Sequence, residues 1–266
     1  MANVWRYIPF GTYSGAENMA IDETLLEAVI ARESANVIRF YRWQPTTATI
    51  GLHQSLSAEI DFRTAKESGV EVVRRITGGG AVLHDARGEI TYAVICRIKD
   101  IPTHLPDRRV YADTISPRYR AILESLAFGL ESLGVPIDVG KIHCPALLTQ
   151  GKKLSGSAQT IRKNVLLQHG TILLTVNPEF MYTILKAPVG VNYTRMVQSV
   201  RAKVTGIFND HTSLQDDVIV DALKEGFCHI FDMKLKSQPL SLKEQKCIEQ
   251  LKNMKYSRPK WLTKYP

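Results

Sequence analysis

Two segments with small-residue clusters carry the groups able to do chemistry in this 266-residue chain. The first, VVRRITGGGAVLHD at 72–85, sets Arg74 and Arg75 before Gly78, Gly79 and Gly80, with His84 just beyond. The second, QGKKLSGSAQTIRKNVLLQHG at 150–170, sets Lys152 and Lys153 before Ser155, Gly156, Ser157 and Ala158, and ends on His169 and Gly170. Small residues let backbone approach a ligand closely, and successive exposed N–H groups bind an anion or an acyl oxygen. Arginine and lysine add fixed charge for a carboxylate, a phosphate or a developing oxyanion. Histidine can orient a ligand or move a proton near neutrality. If Arg74 and Arg75 lie on a strand they point opposite ways, so one is expected to face a ligand and the other solvent. The same alternation separates His84 from Asp85, and no dyad is expected there. His169 sits among alternating apolar residues and either faces the site or packs. Each segment alone reads equally as a tight turn or a polar hairpin; two on one chain point to a site.

Context removes the familiar nucleotide loops. The glycine run follows a strand-like stretch but leads into another, whereas a dinucleotide fingerprint needs G-x-G-x-x-G opening a helix, and a Walker loop needs G-x-x-x-x-G-K-[ST]. Four cysteines stand at 96, 144, 228 and 247 with no CxxC, which disfavours zinc and thioredoxin-type chemistry, and no metal site is expected. Cys96 in an apolar strand run, Cys228 near a helix end and Cys247 on an apolar helical face read as packing residues. Cys144, in KIHCPALLTQGKK, precedes the lysine pair, and Lys152, Lys153 and His143 are positioned to lower its pKa.

The elements that must hold these groups follow from periodicity. Ser14 and Glu17 have capping-box spacing, and Met19, Leu25, Leu26, Val29 and Ile30 give the buried stripe of a helix. Asp22 and Glu23 are assigned to that helix's surface or to capping a neighbouring loop. NVIRFYRW, TATIGLH, VEVVRRI, AVLH, EITYAVICRI and PIDVG read as strands, with a turn at Gln44-Pro45 and a short helix in DFRTAKESG. Residues 117–133 show the clearest helical repeat, stopped by Gly134 and Pro136. KKLSGSAQTI and VLLQHGTILLTV form a hairpin, NPEFMYTILK a helix with Pro178 first, and two more helices begin near Ser213 and Ser241. Clustered strands with irregular helices indicate an α+β fold of mixed sheets flanked by helices, as one domain over 1–266 with a helical extension from about 212.

RRITGGGAVLHD, GKKLSGSAQ and LQHGTILL, with NMAIDETLL, IRFYRW and SVRAKVTGI, resemble the lipoate-protein ligase and octanoyltransferase family over about residues 5–210, and KYSRPKWL is a weaker echo. The resemblance implies the biotin/lipoate protein ligase-like catalytic domain and acyl transfer onto a lysine of a lipoyl domain. It implies that Arg75, Gly78, Gly79, Gly80 and His84 wall the acyl pocket, with Ser155, Gly156, Ala158 and His169 also on the substrate. It implies that Lys153 contacts the acyl carbonyl or an adenylate phosphate. Within the family, Cys144 and GEITYAV look like the octanoyltransferases, which use octanoyl-acyl carrier protein, a cysteine thioester and no cofactor. The alternative is a ligase using ATP and magnesium through lipoyl-AMP, with an accessory subunit; a non-catalytic lipoyl-domain binding subunit is a further one. The acceptors implied are lipoyl domains of 2-oxoacid dehydrogenase complexes or the glycine cleavage H protein.

Composition is consistent with this. Hydrophobic residues make up 44% and charged residues 23%, an ordinary globular balance. No apolar run approaches the ~20 residues of a membrane span, and the N-terminus lacks a secretory pattern, so a cytoplasmic protein without membrane contact is expected. A net charge of +8 suits an acidic partner, but no zinc-finger, zipper or RNP-like pattern supports nucleic acid.

Overall fold

The alternating apolar runs become strands and the helical stripes become helices, in the computed structural model of the chain. It describes residues 3–105, 116–140, 146–208 and 214–265. In chain order the first half comprises β1 (Val4–Tyr13), α1 (Gly15–Ile30), β2 (Val37–Trp43), β3 (Thr47–Ile50), α2 (Leu56–Glu59), α3 (Phe62–Glu67), β4 (Glu71–Arg74), β5 (Val82–His84) and β6 (Glu89–Arg97). Then come α4 (Pro117–Ser132), β7 (Asp138–Val139), β8 (Leu147–Thr149), β9 (Lys152–Lys153), β10 (Ser155–Arg162) and β11 (Val165–Leu173). The remainder is α5 (Pro178–Ile184), α6 (Tyr193–Lys203), α7 (Asp216–Ile230), β12 (Lys234–Ser237), α8 (Leu242–Leu251) and α9 (Pro259–Leu262).

The main sheet has the order β10-β11-β6-β2-β1-β12. β1 runs parallel to β2 and β12, while the β2-β6, β6-β11 and β10-β11 pairs are antiparallel. Both faces are covered, which explains why its strands read as nearly continuous apolar runs. Ile38, Phe40, Tyr92 and Val94 face one core with α4 and α7. Val37, Tyr41, Ala93 and Ile95 face the other, filled from α1 by Met19, Leu25, Leu26 and Val29. A smaller sheet, β4-β3-β5, packs its apolar side on α3 and α5 through Ala48, Ile50, Leu83 and Ile184. β7, β8 and β9 form a third, short sheet. The expected α+β class is the observed one.

Local signals decided many boundaries. Ser14 and Glu17 make a reciprocal capping box on α1, and Ser241 and Glu244 make another on α8. Pro178 occupies the first turn of α5. Two expectations change. α7 starts at Asp216 after Gln215, without a side-chain cap, and Ser213 lies outside the described residues. The stretch after 212 is more than helical: it contributes β12 to the main sheet, and α7 packs on α4. α6 was not foreseen, because only Val197 of it is buried and the apolar stripe is thin. No described helix is long and apolar enough to cross a membrane.

Candidate active site

A cleft of about 280 Å³ opens between the α1 face of the main sheet and the β4-β3-β5 sheet. Met19, Tyr41, Trp43 and Thr91, all buried, line its deep part, while Gly79, Gly80, Lys153, Gly156 and Ala158 line the more exposed part. An apolar interior with a few convergent polar groups is the usual make-up of a small-ligand site.

Arg75 follows directly from β4. It is only 5% exposed yet lines the cleft, and it has no carboxylate partner among the described residues. Its Nη1 donates to the Thr49 hydroxyl at 2.9 Å, and its Nη2 donates to the Gly78 and Gly80 carbonyls at 2.8 and 2.7 Å. Burial pushes its pKa down to about 10, so it stays cationic at neutral pH. A buried cation held only by neutral oxygens keeps its charge available for an electron-rich ligand. The glycine loop therefore acts partly as a cradle for Arg75: the Gly78 carbonyl is turned to the guanidinium, and Gly78 does not line the cleft. Gly79 has φ of +92°, the left-handed region that favours glycine.

Two histidines line the same cleft. His84 on β5 bonds Glu89 through Nδ1 at 2.6 Å and the Thr49 hydroxyl through Nε2 at 3.0 Å. Arg75 can only donate, so Thr49 accepts from it and can pass its own proton to His84 Nε2; His84 Nδ1–H then donates to the Glu89 carboxylate. Trp43 stacks on His84 with centroids 4.2 Å apart. His169 on β11 bonds Asp22 through Nδ1 at 2.9 Å and the Thr77 hydroxyl through Nε2 at 2.7 Å. Burial lowers the His169 pKa, against the opposing pull of Asp22, which favours the neutral ring. Asp22 lies 3.2 Å from Arg39, itself stacked over Tyr41 at 3.8 Å.

Lys153 reaches the cleft from β9, whose neighbour β8 pairs with it through Leu148 and Thr149. The Lys153 carbonyl accepts from Thr205 N at 2.9 Å just past α6, so the motif quoted around SVRAKVTGI buttresses the lysine strand. Gly156 and Ala158 of β10 and His169 of β11 line the cleft. Ser155 does not: it is buried, and its hydroxyl accepts from Leu147 N at 2.8 Å. Cys144 and His143 lie outside the described residues, which resume two positions after Cys144 at Ala146. Among the described residues no group of three His, Cys, Asp or Glu side chains gathers to hold a metal ion.

Three further residues depart from their sequence expectations. Arg74 does not face solvent: it is 0% exposed and turned toward the C-terminal segment. Asp22 and Glu23 are not on a helix surface. Asp22 is 1% exposed beneath His169, and Glu23 is buried against Lys255, Tyr256 and Arg162. Met19, Asp22, Leu26 and Val29 share helical spacing, and that stripe was the available signal. Glu89 was also missed; it shares the inner strand face with Thr91, Ala93 and Ile95, where an acid is out of place without a partner.

The model of the lipoyl protein ligase A/B catalytic domain matches residues 14–228. The octanoyltransferase LipM of Carboxydothermus hydrogenoformans is 34% identical over 277 aligned positions, spanning 98% of this chain and 99% of that protein. The Bacillus subtilis octanoyltransferase LipM is 32% identical over 282 positions, spanning 97% of each. Among solved structures, the bi-partite lipoate protein ligase of Thermoplasma acidophilum superposes with a TM-score of 0.81 at 23% identity, covering 99% of this chain and 97% of that one. A lipoate-protein ligase A bound with ATP gives 0.80 at 24% identity, covering 97% and 98%. These two likenesses establish the fold.

Proposed function

This chain belongs to the lipoyl protein ligase A/B catalytic-domain family, and we propose that it is an octanoyltransferase acting on the lysine of a lipoyl domain. Identity above 30% to octanoyltransferases over nearly the whole of both chains carries this reading. The cleft is chemically suited to it. Its apolar depth suits a fatty chain, and Arg75 and Lys153 bring positive charge to a more exposed end where an acyl carbonyl would sit.

In the proposed sequence the Cys144 thiolate attacks the thioester carbonyl of octanoyl-acyl carrier protein. The carrier's sulfur leaves and takes up a proton as the free thiol, and the octanoyl group becomes a Cys144 thioester. The acceptor lysine amine, of a 2-oxoacid dehydrogenase lipoyl domain or a glycine cleavage H protein, then attacks that carbonyl. An amide forms, the amine loses a proton, and the Cys144 thiol is regenerated. Lys153 and Arg75 stabilise the negative oxygen in both steps. His84 and His169 hold their ring orientations through Glu89 and Asp22 and shape the acyl pocket. No cofactor enters this route. The same two cations would also suit the phosphate of an acyl-adenylate, which is the ligase alternative.

Intact-mass measurement of the protein with octanoyl-acyl carrier protein, without ATP, tests the proposal. The expected result is an octanoyl adduct that hydroxylamine removes and that Cys144→Ser abolishes. With an acceptor present, Lys153→Ala is expected to slow transfer by roughly 10²–10³-fold, the usual loss of one oxyanion-stabilising group. No adduct, but acceptor modification that requires lipoate, ATP and magnesium, would make the protein a ligase instead. Acceptor binding without acylation under either condition would make it a binding subunit.

A further inference from the structure

Arg74 is a fully buried guanidinium that does not line the cleft, and among the described residues its hydrogen bonds go to backbone carbonyls and to no carboxylate. It instead donates to six backbone carbonyls in two groups. One group is the loop after β3, with Gly51, Leu52 and Gln54 at 3.0, 3.1 and 2.7 Å from Nη1. The other is the C-terminal segment, where Nε and Nη2 reach Trp261, Leu262 and Tyr265, the shortest contact being 2.7 Å to Leu262. The segment grips back, because Trp261 Nε1 donates to the Arg74 carbonyl at 2.8 Å.

The loop held this way touches the glycine loop. Leu52 N donates to the Thr77 carbonyl at 2.8 Å. A Cβ on Gly51 would lie 2.2 Å from the Gly79 carbonyl oxygen, so the two backbones are in direct contact. Arg75 N donates to the Ile50 carbonyl at 3.0 Å. Where the C-terminal segment sits therefore fixes the 51–54 loop, that loop fixes Thr77 and Gly79, and these carry the Gly78 and Gly80 carbonyls that aim Arg75.

We propose that Arg74, with the C-terminal segment it grips, is a positioning residue for the glycine loop of the acyl cleft. The two adjacent arginines divide the labour: Arg75 faces the ligand, and Arg74 ties the far end of the chain to the loop on which Arg75 depends. A planar five-donor fork can bridge two sets of carbonyls, which a lysine ammonium, a point charge with three donors, does not reproduce. The kinetic part of the following test rests on the octanoyl-transfer reading; the exchange part does not.

Arg74→Lys, a chain ending at Lys260, and the milder Trp261→Phe are compared with the intact protein by hydrogen–deuterium exchange and transfer kinetics. Exchange of the amides at 77–81 is expected to rise about tenfold in the first two and about threefold in Trp261→Phe, while amides of β2 and β6 stay as slow as before. KM for the octanoyl donor is expected to rise about tenfold, with KM for the acceptor unchanged. Exchange that rises equally over the whole sheet, or does not rise, would overturn the proposal. So would folding failure of the two stronger variants together with intact-like exchange and donor KM in Trp261→Phe. If the intact protein transfers no octanoyl group, the functional reading falls, and exchange at 77–81 alone decides this one.

Discussion

The two histidines of the cleft are built to the same plan and wired differently. Each places Nδ1 on a carboxylate and Nε2 on a threonine hydroxyl. The acid behind His84 is Glu89, five residues along the chain, and its second oxygen is buried without a hydrogen-bond partner among the described residues. The acid behind His169 is Asp22, 147 positions away on α1, with Arg39 beside it as a counter-charge and Tyr41 donating at 3.3 Å. The His84 unit is local and connects through Thr49 to Arg75. The His169 unit is long-range, and it pins α1 to β11 and β2. One arrangement chiefly connects to a cation that lines the cleft; the other chiefly holds two layers together.

Removing each acid should separate the two roles. Asp22→Ala strands the buried Arg39 and is expected to cost about 3–5 kcal/mol, read from urea unfolding. Glu89→Gln removes a charge-assisted bond but leaves no stranded cation, and about 1–3 kcal/mol is expected. Equal losses would break the comparison. Glu89→Gln should also act on the cleft. The amide oxygen can still accept from His84 Nδ1–H and from the Thr91 hydroxyl, so the tautomer, read from imidazole nitrogen shifts, is expected to stay while the bond that orients the ring weakens with the loss of charge. The smallest effect concerns pH. Because burial lowers the His169 pKa, the unfolded chain takes up that proton first as pH falls below about 6.5. The His169 contribution is complete above that value and is lost on acidification down to the folded-state pKa. The thermal midpoint should drop over that range, and His169→Gln should flatten the decline.

What the sequence displayed were groups whose meaning is local. The left-handed backbone at Gly79 is legible from residue type, and the cleft positions of Lys153, Gly156 and Ala158 from one short motif. The capping boxes at Ser14 and Ser241 are legible because both partners lie three residues apart. Asp22 and Arg74 were not legible in this way, because their partners come from other elements. Asp22 meets Arg39 and His169 only after three elements pack, and Arg74 meets carbonyls about 190 residues further on. Backbone carbonyls leave no trace in residue type, so a cation satisfied by them reads as a surface charge. Ser155 fails in the opposite direction: its motif suggests a ligand, but the nearest unsatisfied donor is Leu147 N.

The parallel pairing of β1 with β12 has a consequence during synthesis. Val4 to Tyr7 align with Lys234 to Ser237, so this side of the central sheet lacks its last strand, and β1 stays exposed, until β12 has left the ribosome. At about 5–20 residues per second, the first strand waits on the order of 10–45 s for that partner. For that interval it offers unpaired N–H and C=O groups to any neighbouring chain. A message cut short before β12 would leave that edge open for good, and its product would be a candidate for aggregation and clearance.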